Sequence, residues 1–158
     1  MSRSLAVAVA ALAACAHAPP PVSLTLPRAD TGAPFSVAGS RANATIVYFF
    51  TTWCVLCQAM EGAVAQAAAQ GAPDGIQVVG IALDREGRRL IAPWVAATRP
   101  PYPVLVGGAE VAAGRTAFGP IPAVPTVLIL DREGRPRQGA SGLVTAGELL
   151  EAARKVAR

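Results

Sequence analysis

Two cysteines stand three positions apart in "FFTTWCVLCQAM", residues 49–60, where a run of β-formers gives way to a helix-forming stretch. A cysteine at the first turn of a helix has its thiolate stabilised by free backbone N–H groups and by the positive end of the helix dipole. Cys54 takes that place. Cys57, at i+3, lies on the same helix face, near enough to the cap for the Cβ separation of roughly 3.5–4.5 Å that a disulfide needs. Such a pair suits thiol–disulfide exchange, in which Cys54 attacks as the nucleophile and Cys57 resolves the mixed disulfide and releases the partner. Other uses of the pair fare worse. A zinc site needs two further soft ligands, and the single histidine, His17, falls in the N-terminal segment. A purely structural disulfide across three residues closes a loop too small to constrain the unfolded chain much.

The elements that position the pair follow from hydropathy and turn signals. "ATIVYFF", residues 44–50, is a continuous apolar run of the kind found in a strand buried on both faces. A helix follows from the cysteines to the stop signals Gly71 and Pro73. "IQVVGIAL", residues 76–83, predicts a second buried strand, and "GRRLIAPWVAATR" a second helix that Pro93 should start late or kink. "YPVLVG", residues 102–107, predicts a short strand and "EVAAGRTAFG" a short helix. Residues 125–142 form a hairpin about "DREG", and "TAGELLEAARKV" closes the chain as a helix whose Thr145 and Glu148 make a capping box. An N-terminal strand or hairpin precedes them, after Val22. Alternating β and α units followed by a hairpin and a last helix imply an α/β fold with a mixed central sheet flanked by helices.

The start of the chain has a different composition. "MSRSLAVAVAALAAC" carries Arg3 and then an apolar run from Leu5 to Ala14, the length of a signal-peptide core and too short for a permanent span. Residues 1–14 are therefore expected to be a signal peptide, 15–21 a Pro-rich tether and 22–158 one domain. "LAAC", residues 12–15, resembles the bacterial lipobox, which would make Cys15 an acylated anchor to a membrane surface. The competing cleavage, after "AHA" at residues 16–18, would leave Pro19 at the cut. Export places the domain in an oxidising compartment, the periplasm or cell envelope, where a cysteine pair can persist as a disulfide. The net charge is +4 and the arginines are scattered, without a basic run or interleaved aromatics, which argues against a nucleic-acid footprint.

"VYFFTTWCVLC", with "VPTVLILDREG" and "GLVTAGELL" far downstream, resembles the thioredoxin superfamily, in particular the TlpA/ResA-like membrane-tethered thiol–disulfide oxidoreductases. The resemblance covers roughly residues 22–156. It implies a thioredoxin-like fold with an N-terminal β extension and a central α/β insertion between residues 76 and 107. It also implies a cis-proline at Pro125 facing the pair, with Pro122 the nearby decoy, and backbone hydrogen bonds from Val124 to an incoming peptide. The chain departs from the family in three ways. Val55-Leu56 between the cysteines is apolar, where a proline or a charged residue is common, and offers the thiolate no electrostatic help. Tyr48 stands where thioredoxin has a buried aspartate, and core packing is its first reading, a proton relay its second. Asp84 and Glu86 are candidates for the acid that relatives often hold near the pair. With no histidine in the domain, a carboxylate, tyrosine or water must accept the proton.

Trp53, Val55 and Leu56 would form an apolar docking rim around the pair. The resulting expectation is an exported enzyme, a monomer with no cofactor beyond its own disulfide, exchanging disulfides with envelope proteins. It would act as a reductant supplied by a membrane electron donor, with cytochrome c maturation the commonest role of such relatives. Three alternatives compete with it. A non-catalytic binding module would keep an inert disulfide; a copper(I) chaperone would use the two thiolates, though a wider C-x-x-x-C and a downstream histidine are missing. A peroxidase would use Thr51 in a T-x-x-C pattern, but Val47 stands where its proline is expected.

Overall fold

The computed structural model describes residues 19–37 and 41–158. Among the described residues, twelve segments of regular structure are arranged about one five-stranded sheet. An N-terminal hairpin, β1 (Thr25–Pro27) and β2 (Pro34–Ser36), precedes the central strand β3 (Ala44–Phe50). Helix α1 (Val55–Gly71) and a single 3-10 turn lead to β4 (Ile76–Ala82), then α2 (Arg88–Thr98), β5 (Val104–Val106) and α3 (Gly108–Ala112). The chain ends in the hairpin β6 (Thr126–Asp131) and β7 (Pro136–Ser141), followed by α4 (Ala146–Val156). The strand order is β5-β4-β3-β6-β7. β3, β4 and β5 run parallel, and β6 and β7 antiparallel to their neighbours.

Strand β3 is buried at every position because both faces of the sheet are covered. Its side chains alternate between two cores, as the twofold period of a strand requires. Ala44, Ile46, Tyr48 and Phe50 pack under α1, α2 and α4 with Cys57, Met60, Val64, Ile91 and Leu149. Val47 and Phe49 point the other way, to Val79, Ile81, Leu105, Val111 and Leu130, under the N-terminal hairpin and α3. The two buried aromatics Tyr48 and Phe50 stack with ring centroids 5.1 Å apart. Helix α4 is fixed at its start by the capping box: Thr145 Oγ1 accepts the Glu148 N–H at 3.3 Å, and the Thr145 N–H donates to Glu148 Oε2 at 2.8 Å.

The mixed sheet flanked by helices and the N-terminal strand pair agree with the fold read from sequence. Helix α2 differs in detail. It starts at Arg88 and runs through Pro93, rather than beginning after it. One missing N–H is tolerated because Ile91, Trp94 and Val95 still pack onto the core from that helix. The region between residues 76 and 107 lies in the sheet itself, as β4 and β5, with α2 connecting them.

Candidate redox site

The sheet delivers the pair at the C-terminal end of β3. After Phe50 the chain turns, the Cys54 N–H bonds to the Thr51 carbonyl at 3.2 Å, and α1 begins at Val55. Cys54 is the N-cap, with extended backbone (φ −77°, ψ 112°), and its Sγ accepts the Cys57 N–H at 3.1 Å. A sulfur in that position is what the helix terminus favours as an anion. Cys54 and Cys57 form a disulfide, with Cα atoms 5.2 Å apart. Cys57 is fully enclosed at 1% exposure, whereas Cys54 retains 9%. The accessible sulfur therefore belongs to the first cysteine.

Three features frame it. Trp53, Val55 and Leu56 stand out from the surface at 68%, 76% and 51% exposure. Opposite them the Val124–Pro125 peptide bond is cis, and the Val124 carbonyl oxygen lies 3.8 Å from Cys54 Sγ. Pro125 is buried, and its carbonyl accepts the Gly142 N–H at 2.9 Å. The approach loop is held by Asp84, which is buried at the end of β4. Its carboxylate accepts the Thr52 N–H at 3.1 Å and the Thr52 hydroxyl at 2.7 Å. Asp84 thus braces the turn before the pair. Glu86, by contrast, is exposed in the following turn.

Tyr48 is fully buried and does reach the pair, through the backbone. Its hydroxyl lies 3.1 Å from the Cys57 carbonyl and 3.3 Å from Glu61 Oε1. The other carboxylate oxygen of Glu61 accepts the Tyr102 hydroxyl at 2.6 Å. Burial raises the Glu61 carboxyl above the usual carboxylate range, against the opposing hydrogen bonds from Tyr102 and Tyr48. Burial, reinforced by the charge of Glu61, also raises both phenols.

Glu61 and Tyr102 were not among the residues singled out from sequence. One signal could have found Glu61: it follows Cys57 at i+4, flanking the apolar stripe Cys57, Met60, Val64 and Ala67 on α1. Tyr102 has a subtler one, in Gly80. A Cβ at Gly80 would come within 3.1 Å of the Tyr102 ring and 3.2 Å of the Phe50 ring, so a glycine in mid-strand makes room for the tyrosine. Cys15 and His17 lie outside the described residues.

The profile of the AhpC/TSA family matches residues 17–137. No curated protein matches the chain. Solved structures do. A thiol:disulfide interchange protein of the thioredoxin family from Chlorobium tepidum TLS is 25% identical, over 90% of this chain and 99% of its own, with a TM-score of 0.75. StoA from Bacillus subtilis is 19% identical, over 84% and 98%, at 0.66. The pneumococcal exposed lipoprotein thioredoxin Etrx1 from Streptococcus pneumoniae is 16% identical, over 84% and 98%, at 0.71. The last two likenesses speak for the fold. Among the described residues no helix is long and apolar enough to cross a membrane.

Proposed function

We propose, from the premise that the chain belongs to the AhpC/TSA family and is a thioredoxin-fold thiol–disulfide oxidoreductase, that it is exported and reduces disulfides of proteins in the cell envelope. The observation that carries this reading is the placement of Cys54. It is the more accessible member of a disulfide, it caps α1, and it faces a cis-proline loop whose Val124 carbonyl oxygen lies near the sulfur. In the reduced state the Cys54 thiolate attacks a partner disulfide, and a new bond joins Cys54 to the partner sulfur. Cys57 then attacks Cys54, the intramolecular disulfide forms, and the partner leaves as a thiolate. Two electrons pass to the partner in each cycle, so a membrane donor of reducing equivalents has to restore the dithiol.

The N-terminal leader supports export, and the lipobox-like "LAAC" supports acylation of Cys15, which would hold the domain at a membrane surface. The rim of Trp53, Val55 and Leu56 suits the apolar flank of an unfolded or extended partner segment rather than a small thiol. A disulfide between apocytochrome cysteines, which has to be reduced to thiols before haem attachment, is the substrate that fits a tethered reductant best.

The deciding experiment has two parts. Equilibration of the soluble domain in dithiothreitol buffers should give a reduction potential near or below about −270 mV, as for thioredoxin; a value near about −120 mV would make the protein an oxidant. Cys57→Ala should trap envelope proteins as mixed disulfides on Cys54, and Cys54→Ala should trap none. A disulfide that resists reduction in the folded protein, with no partner captured, would replace the enzyme by a binding module.

A further inference from the structure

Strand β6 runs antiparallel to β3, with Thr126 beside Phe49 and Asp131 beside Ala44, so the β6–β7 turn lies at the start of β3 while Cys54 follows its end. The seven residues of β3, at about 3.3 Å each, hold this pole roughly 20 Å from the redox pair. Two other segments meet the turn there. Arg132 donates to Asn43 Oδ1 at 2.6 Å, just before β3, and the Asn43 amide donates to the Asp74 carbonyl at 3.0 Å, after α1. Arg154, from the last turn of α4, pairs with Asp74 at 2.8 Å, and Arg158 lines one cleft with Arg132.

Arginines that are scattered along the sequence are thereby gathered at one end. The pole holds Arg41, Arg132, Arg135 and Arg137, with Arg154, Lys155 and Arg158 from the end of α4, against the acids Asp74, Asp131, Glu133 and Glu151. Elsewhere from residue 19 onward six cations meet six acids, so the pole carries the whole positive excess of the domain. Each of its four acids is already engaged by one of its own cations: Asp74 by Arg154, Asp131 by Arg137, Glu133 by Arg135 and Glu151 by Lys155. Arg41, Arg132 and Arg158 are exposed and form no ion pair among the described residues. The path of the chain singles out the same pole. Val22 is fully buried and its N–H donates to the Gly134 carbonyl in the β6–β7 turn at 2.8 Å, with Pro19, Pro20 and Pro21 exposed before it. The N-terminal segment joins the fold at its basic end.

We propose that this pole is a docking surface for an anionic phospholipid membrane, and that the docked domain presents Cys54 away from the bilayer. The membrane setting is that of the function proposed above, but the docking itself needs no acyl chain. Basic side chains close to an anionic leaflet are each attracted to it, and salt screens the attraction. The apolar rim of Trp53, Val55 and Leu56 is the competing membrane-facing surface, and it stands at the other end of β3. With the basic pole on the lipid, the rim stays free for a protein partner. The partner's disulfide and the donor's thiols then meet Cys54 roughly 20 Å or more above the headgroups. A donor whose reducing thiols sit on a domain projecting from the membrane can serve the docked protein; one whose thiols lie within the bilayer cannot.

The test uses residues 19–158, the described fold with both of its cores and without the leader or Cys15. Vesicles containing phosphatidylglycerol should sediment the protein at low salt, whereas phosphatidylcholine alone, or high salt, should leave it in solution. Arg132→Gln combined with Arg158→Gln should weaken the partition by about 30-fold, the scale for two basic residues at an anionic surface. Arg85→Gln with Arg89→Gln, both exposed in the balanced part of the domain, should change it by less than about twofold. Orientation is read from the reduced protein with one equivalent of dithiobis(nitrobenzoate). The first nitrothiolate released reports attack by Cys54 and the second reports resolution by Cys57. Saturating vesicles should alter neither phase and leave the emission of Trp53 unshifted. The proposal is overturned by equal partition onto phosphatidylcholine, or by an Arg132/Arg158 variant that binds as wild type or no worse than the Arg85/Arg89 variant. It is equally overturned by a blue shift of Trp53 with a slowed first phase, which would lay the rim on the lipid. A protein that releases neither nitrothiolate without vesicles would instead refute the exchange activity, while sedimentation still decides the docking.

Discussion

The two sides of the disulfide are built from opposite materials. In front of Cys54 stand Trp53, Val55 and Leu56, three exposed apolar side chains with no hydrogen-bonding group except the indole N–H. Behind Cys57 lie two buried phenols and a half-buried carboxyl, joined by hydrogen bonds. The contrast gives two chemically identical residues different surroundings. The front exposes apolar surface, the kind whose desolvation gives affinity on docking; behind Cys57, burial and hydrogen bonds set the acidity of Glu61. Helix α1 holds both arrangements, because its first turn is the rim and its second carries Glu61.

Damage to the front should leave small-molecule chemistry intact. Trp53→Ala combined with Leu56→Ala is expected to slow reduction of a protein disulfide by about 10- to 100-fold, on the scale of an interface hot spot. The same variant should react with dithiobis(nitrobenzoate) within about twofold of wild type; equal losses in both assays would merge the two sides into one.

Damage to the back should appear in stability. The folded-state proton affinity of Glu61 is raised, so the stability that its protonated form contributes is complete below the unfolded value, about 4.3. It is lost progressively as the pH climbs from there to the folded value, and the curve is flat beyond it. Urea unfolding of the oxidised protein should therefore show wild type losing ground to Glu61→Gln over that rise, by about 1.4 kcal/mol for each unit of upward shift. Parallel curves would mean that the carboxyl titrates in the fold as it does in the unfolded chain.

The smallest effect concerns neither side and serves as the control. Thr145→Ala removes the N-cap of α4 and should cost about 1 kcal/mol in urea unfolding, without altering either phase of nitrothiolate release. A change in the second phase would show that α4, which packs against α1, also positions Cys57.

Local patterns made much of this molecule legible. Residues 44–50 read as a strand buried on both faces because no polar side chain heavier than threonine or tyrosine interrupts them, and the structure divides that run between two cores. The capping box at Thr145 and Glu148 was visible as a spacing, because its partners are three residues apart. The resemblance implies an acid near the pair in the loop after the second buried strand. Asp84 is indeed buried there, but its carboxylate is engaged with Thr52, and Glu86 points into solvent. Glu61 is not legible in the sequence, because a lone glutamate on an alanine-rich helix looks like solvated surface until the strands beneath it are in place.

Sequence by itself determined the chemistry of the front: two sulfurs at i and i+3, a strand to carry them and a helix to polarise the first. These depend on contacts within a few residues, and short-range geometry follows from local backbone preference. Only the tertiary structure decided the back. Tyr48, Glu61 and Tyr102 are separated by 13 and 41 residues along the chain. What brings them together is the parallel pairing of β3 with β4, the gap left by Gly80 and the packing of α1 over both. No local pattern encodes that meeting, because it forms only when the strands pair and the core closes.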